Sequence, residues 1–150
     1  NVLRDIHSID YRDECLYELK MKGFVPVLAH IERYFHDGLD YDIIDHWVDM
    51  SCILQMNRTS VLGVHGKKIQ ANALELLDNG YCDVICTDTH RASGNRIEQL
   101  SDVYTVVGKR IGFDNADILF YENPKRLLSN KEILNIEVEK KKKLFGFFGR

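Results

Sequence analysis

The sequence predicts an α/β fold built on a parallel sheet with both faces covered, and three features point to it. Amphipathic helical stripes alternate with short runs along the chain. The runs are almost wholly apolar, as strands buried on both faces require. Each run then ends in a polar cluster, the pattern of a fold that gathers its chemistry at one edge of the sheet.

The elements follow in order. Ile9, Leu16, Leu19 and Met21 fall at helical spacing up to Gly23, a natural helix stop, and Val25-Pro26-Val27-Leu28-Ala29 reads as a strand. Ile43, Ile44, Trp47 and Val48 make a second stripe, followed by the strand Cys52-Ile53-Leu54-Gln55-Met56. Ile69, Ala73, Leu74 and Leu77 make a third, closed by Asn79-Gly80, before the strand Asp83-Val84-Ile85-Cys86-Thr87-Asp88. Ile97, Leu100, Tyr104 and Val107 mark a further helix. Asp114 is the expected N-cap of a helix through Tyr121, and Pro124 suits the first turn of the last one.

Composition narrows the class. A chain of 150 residues suffices for one core and not for two. With 45% hydrophobic and 29% charged residues it is neither disordered nor fibrous, and it has no run of about 20 apolar residues to span a membrane. Twenty Lys and Arg against 23 Asp and Glu leave a net charge of −3, so there is no basic excess to neutralise the phosphates of a nucleic acid. Cys15, Cys52, Cys82 and Cys86 form no Cys-x-x-Cys pair, which fits reduced thiols in a cytoplasmic protein. The chain opens on Asn1 without Met or a signal-like segment, as a piece of something longer would. Residues 1–130 are expected to carry the folded part, and 131–150 a charged, flexible tail. That tail ends in Lys140-Lys141-Lys142-Lys143-Leu144-Phe145, which reads as a solvated terminus or, alternatively, a peripheral contact with an anionic membrane.

The three strand ends carry His30-Ile31-Glu32-Arg33, Gln55-Met56-Asn57-Arg58 and Asp88-Thr89-His90-Arg91. Residues two apart on a strand share a face, so Asp88 and His90 are expected side by side. His30, from an earlier strand, could complete a nitrogen and oxygen set suited to manganese, iron or zinc. A lone histidine at a strand end is ordinarily a cap or surface residue; the coincidence of three donors at equivalent edges is what favours a metal. Arg33, Arg91 and Arg96 follow these donors closely, and guanidinium forks match phosphate. His7, His36, His46 and His65 lack this placement, and His46 beside Trp47 is expected to be packed. Cys52 and Arg58 have the Cys-x5-Arg spacing of cysteine-dependent phosphatases. The residues between them contain no glycine and read as a buried strand, where that chemistry needs an open loop of backbone N–H groups.

Residues 26–34, Pro-Val-Leu-Ala-His-Ile-Glu-Arg-Tyr, resemble the PVLAHPERY segment of bacterial metal-dependent protein tyrosine phosphatases of the CpsB type. Gln55-Met56-Asn57, Ser60-Val61-Leu62-Gly63, Gly66, the run from Asp83 to His90 and Glu122-Asn123-Pro124 follow the order of that family, so the resemblance runs from about residue 12 to about residue 130. It implies membership of the polymerase and histidinol phosphatase (PHP) superfamily: a distorted, seven-stranded, TIM-like β/α barrel with a cluster of divalent metal ions, usually manganese. By the same resemblance His30, Asp88 and His90 would be metal ligands. Arg33 would bind phosphate together with Arg96, or with Arg91, since Arg96 stands one residue off the family spacing. Ile31 replaces the family's proline and Thr89 its usual alanine, and neither change removes a ligand. The early His-x-His of the superfamily has no counterpart, and Asp5-Ile6-His7 lies too close to His30 to serve, so the chain is expected to be roughly the C-terminal half of the barrel. The implied activity is hydrolysis of phosphotyrosine on a cognate membrane-associated tyrosine kinase in capsule or exopolysaccharide synthesis. The alternatives are a PHP metallophosphoesterase acting on a small phosphate ester, or a non-catalytic scaffold.

Overall fold

A computed structural model describes residues 9–89 and 99–139, with side chains from residue 13 onward. Its elements are α1 (Ile9–Met21), β1 (Val27–Leu28), α2 (Tyr41–Asp49), β2 (Ile53–Asn57), α3 (Arg58–Val61), α4 (Lys67–Asp78), β3 (Val84–Cys86), α5 (Ser101–Ile111), α6 (Phe113–Asp117) and α7 (Asn123–Leu128). A turn of 3-10 helix (Ile31–Arg33) follows β1, and a π-helical turn (Ile118–Glu122) joins α6 to α7. The fold is mixed α/β, and the described strands form a parallel sheet in the order β1-β2-β3.

The strand in the middle is β2, and all five of its residues are buried. Its register sets Leu28 opposite Leu54 on one side and Asn57 opposite Cys86 on the other. Trp47 and Ile44 from α2, Leu76 and Leu77 from α4, and Val103 and Val107 from α5 close over the sheet as one core. Burying side chains of this size stabilises the fold by about 1.5–3 kcal/mol each. In α1 the expected stripe is only partly used: Leu16 is in the core, whereas Leu19 and Met21 are exposed.

Five expectations need correction. The first strand is two residues long because Pro26 has no N–H for the ladder; its carbonyl accepts from Ile53 at 2.9 Å, and the chain turns away at His30. The third strand ends at Cys86, and Asp88 has φ 54°, so the alternation that was to set Asp88 beside His90 has stopped before either residue. Asp114 is not a cap: Gly112, at φ 95°, turns the chain and its carbonyl accepts from Ala116, leaving Asp114 in the first turn of α6. His46 is not packed but exposed at the surface, 3.5 Å from Asp13. The helix expected from Ile97 begins at Ser101, and Ile97 itself lies outside the described residues.

The chain beyond α7 stays on the body of the protein as far as Glu139. Asn123, fully buried, donates to the carbonyls of Asp83 and Leu134 at 2.9 Å and accepts from the Leu134 N–H at 2.7 Å. Asn115 holds Glu137 in the same two-sided way. Residues 131–139, read from sequence as part of the tail, are thus clipped to the fold by two asparagines.

Candidate metal and phosphate site

The C-terminal ends of the three strands converge on a polar cluster. At the first, His30 has φ 61° and ψ 40°, left-handed for a residue that carries a Cβ. At the third, Asp88 is likewise left-handed, and such conformations cost about 1 kcal/mol or more each unless the surroundings impose them. The surroundings here are the two amides of β2. Gln55 accepts from the His30 N–H at 3.1 Å through Oε1 and donates through Nε2 to Oδ1 of Asn57 at 2.9 Å. Asn57 in turn donates through Nδ2 to Oδ2 of Asp88 at 3.1 Å. Three hydrogen bonds in series therefore join the first strand end to the third.

Glu32 sits beneath this line, with 0% of its surface exposed. Its Oε1 accepts from the Asn57 N–H at 3.4 Å and lies 3.7 Å from Nε of Arg33. Burial pushes its carboxyl above the ordinary glutamate value, while Ser60, the local N–H groups and the Arg33 charge pull the other way. Arg33 also donates to Oγ of Ser60 at 3.4 Å. Asn72 of α4 clamps the turn from behind by donating to the carbonyls of Glu32 and Phe35. Ile31, with 0% exposed, anchors the turn in the core, and Tyr34 packs edge-on against Trp47.

Three polar atoms at this end are buried without a hydrogen-bond partner among the described residues: Nδ1 of His30, Oε2 of Glu32 and Nη2 of Arg33. An unmatched imidazole nitrogen and carboxylate oxygen suit a divalent cation, and an unmatched guanidinium N–H suits an anion. The donor chemistry fits a metal, with His30 and Asp88 as the described residues that could hold it. The described residues do not complete such a site, since no group of three or more His, Cys, Asp and Glu comes together among them. His90, Arg91 and Arg96 lie outside the described residues. A cleft of about 770 Å³ opens at the opposite end of the strands, beside Val25, Ile53, Tyr81 and Asp83, away from this cluster.

The reading of Cys52 as core is borne out. It is 5% exposed, burial raises its thiol above the ordinary value, and the residues that follow form β2 instead of an anion loop. Arg58, the other half of that spacing, is committed to Asp102 of α5, donating through Nε to Oδ1 at 3.0 Å and through Nη2 to Oδ2. Sequence reasoning gave no role to Glu32, Gln55, Asn57 or Asn72. The signal for two of them was present: Gln55 and Asn57 are amides two apart at the end of an apolar run, on the same face, and buried amides must find partners.

Comparison with known proteins supplies the family. A family described as "Capsular polysaccharide synthesis, CpsB/CapC" matches residues 3–129. The chain belongs to the CpsB/CapC family. Among its relatives, the tyrosine-protein phosphatase YwqE of Bacillus subtilis is 28% identical over 144 residues, which are 95% of this chain and 56% of YwqE. The tyrosine-protein phosphatase CpsB of Streptococcus pneumoniae is 29% identical over 125 residues, 79% of this chain and 50% of that protein. A crystal structure from work on these two, described as unique metal-dependent tyrosine phosphatases, superposes with a TM-score of 0.75 at 26% identity, covering 90% of this chain and 55% of that one. The chain thus spans about half the length of the CpsB/CapC relatives it matches.

Proposed function

We propose that this chain is the C-terminal part of a PHP-type β/α barrel, with residues 1–130 as the phosphatase-domain part and residues 131–139 clipped onto it, and that the whole protein is a metal-dependent protein tyrosine phosphatase. The observation that carries the reading is the meeting of His30, Arg33 and Asp88 at one edge of a parallel sheet, with a buried, unmatched Nδ1 on the histidine and a buried, unmatched Nη2 on the arginine. The relatives' own names point to the same activity.

His30, Asp88 and His90 would hold a divalent cluster, manganese first and iron or zinc as alternatives, completed by donors from the rest of the protein. When bound, such a cluster supplies Lewis acidity and lowers the pKa of a water that attacks phosphorus in line. The chain's own part is to bind and orient. Arg33 turns its unmatched guanidinium edge to the phosphate oxygens, with Glu32 and Ser60 holding the other edge, and Arg96 adds a second positive charge. The thiols take no part. The substrate is phosphotyrosine on protein, with a membrane-associated tyrosine kinase of capsule synthesis as the natural one, and the site of action is the cytoplasm. No helix among the described residues is long and apolar enough to cross a membrane.

The test is hydrolysis of a phosphotyrosine peptide by the full-length protein with and without manganese. The reading expects His30→Ala and Arg33→Ala each to lose at least about a hundredfold in kcat/KM. Full activity in either variant overturns it.

A further inference from the structure

We infer that Gln55 and Asn57 are positioning residues that fix the distance and orientation between His30 and Asp88, by the amide relay that runs between them. The inference rests on the reading of those two as metal ligands and adds to it how the ligands are held.

The relay has a direction. The His30 N–H donates to Gln55 Oε1, Gln55 Nε2 donates to Asn57 Oδ1, and Asn57 Nδ2 donates to Asp88 Oδ2, at 3.1, 2.9 and 3.1 Å. Each amide is therefore oriented by its neighbours, and reversing either one would set donor against donor or acceptor against acceptor. Gln55 is 7% and Asn57 0% exposed, so water does not compete for these bonds. Gln55 Nε2 also donates to the Met56 carbonyl at 2.6 Å, and the main-chain N–H of Asn57 donates to the Glu32 carboxylate at 3.4 Å, which fixes the backbone that carries the second amide.

The relay ends on two residues that need holding. His30 and Asp88 are both non-glycine residues at positive φ, at 61° and 54°, and they stand on opposite sides of β2. Asp and His enter the left-handed region more readily than most non-glycine residues but still at a cost, and the bonds to the strand between them help to hold both there. A hydrogen bond to a ligating carboxylate restricts which of its oxygens faces the metal, and groups in this role commonly change metal affinity 10- to 100-fold when removed. Asn57 is placed to do this for Asp88, and Gln55 to do it for the backbone that carries His30.

The test is a titration of the full-length, metal-free protein with Mn²⁺, following free ion by electron paramagnetic resonance, alongside steady-state kinetics on a phosphotyrosine peptide. Asn57→Ala is expected to weaken Mn²⁺ binding about tenfold or more and to lower kcat at saturating metal with little change in KM. Gln55→Glu keeps the volume and the acceptor for His30 but cannot donate to Asn57, and it is expected to weaken binding in the same direction. Its folding is followed by circular dichroism, so the inference stays testable if Asn57→Ala does not fold. Parental Mn²⁺ affinity in a folded Asn57→Ala or Gln55→Glu protein overturns the relay. The ligand reading fails separately, by parental affinity in His30→Ala and Asp88→Ala.

Discussion

Asn57 Nδ2 donates to Asp88 Oδ2 across 3.1 Å, so the last residue of β2 holds a carboxylate that lies beyond the end of β3. The bond needs only an acceptor on residue 88, whereas a metal needs the negative charge. Asp88→Asn keeps an acceptor oxygen and is expected to leave stability within about 0.5 kcal/mol of the parent by urea denaturation. The same variant is expected to lose at least about a hundredfold in phosphotyrosine hydrolysis. Equal loss of stability and activity would make Asp88 a structural residue.

Glu32 carries the opposite balance. Its buried carboxylate has an oxygen without a partner among the described residues, and burial raises its pKa. Replacing it by the neutral amide relieves the cost of a buried charge but removes the partner of Arg33. Glu32→Gln is therefore expected to raise the stability of the metal-free protein by about 1 kcal/mol. Its KM for a phosphotyrosine peptide should rise severalfold. Thermal melts and steady-state kinetics check the two halves; a lower melting temperature would show that the charge stabilises the turn.

Much of the fold was legible in the sequence because its signals are local. The apolar stripes of α2, α4 and α5 and the apolar run of β2 fall where burial requires. The strand ends were less legible, since Pro26 and the left-handed Asp88 terminate strands through backbone geometry that hydrophobic pattern does not encode. In the site, His30, Arg33 and Asp88 stood out as chemically active residues at strand ends. Gln55, Asn57 and Glu32 did not, because their meaning lies in partners 25 to 31 residues away. The clipping of residues 131–139 by Asn115 and Asn123 was hidden for the same reason: charge suggested a tail, and two distant amides decide otherwise.

Arg58 and Asp102 tie the end of β2 to the start of α5. The Arg58 guanidinium beside Asp102, aided by the Val103 N–H, holds the carboxyl below its ordinary value. The contribution of this pair is therefore fully present above the ordinary aspartate value near 4 and is lost as pH falls through the lower value of the folded state. Arg58→Ala is expected to cost about 1–2 kcal/mol at pH 7, held to that range by the partial exposure of Asp102. Urea midpoints of parent and variant should converge as pH falls through that window. A gap that persists in acid would assign the loss to packing of the arginine stem.

Asn123 offers a test of the C-terminal clip. Asn123→Ala removes three hydrogen bonds and leaves the Asp83 carbonyl and both polar groups of Leu134 to find other partners. A loss of about 2–3 kcal/mol is expected. Trypsin should then cut faster after Lys131 in the variant than in the parent. Unchanged cleavage would show that Ile136 and Val138 hold the segment by apolar contact alone.

The central claim, phosphate chemistry by a metal held at the strand ends and not by a thiol, is tested most directly by treating the full-length protein with chelator and with iodoacetamide in parallel. Chelator is expected to abolish phosphotyrosine hydrolysis and added manganese to restore it, while alkylation leaves Cys52 unmodified because it is buried and burial raises its thiol above the ordinary value. Activity that survives chelator and is lost on modification of Cys52 would contradict the account.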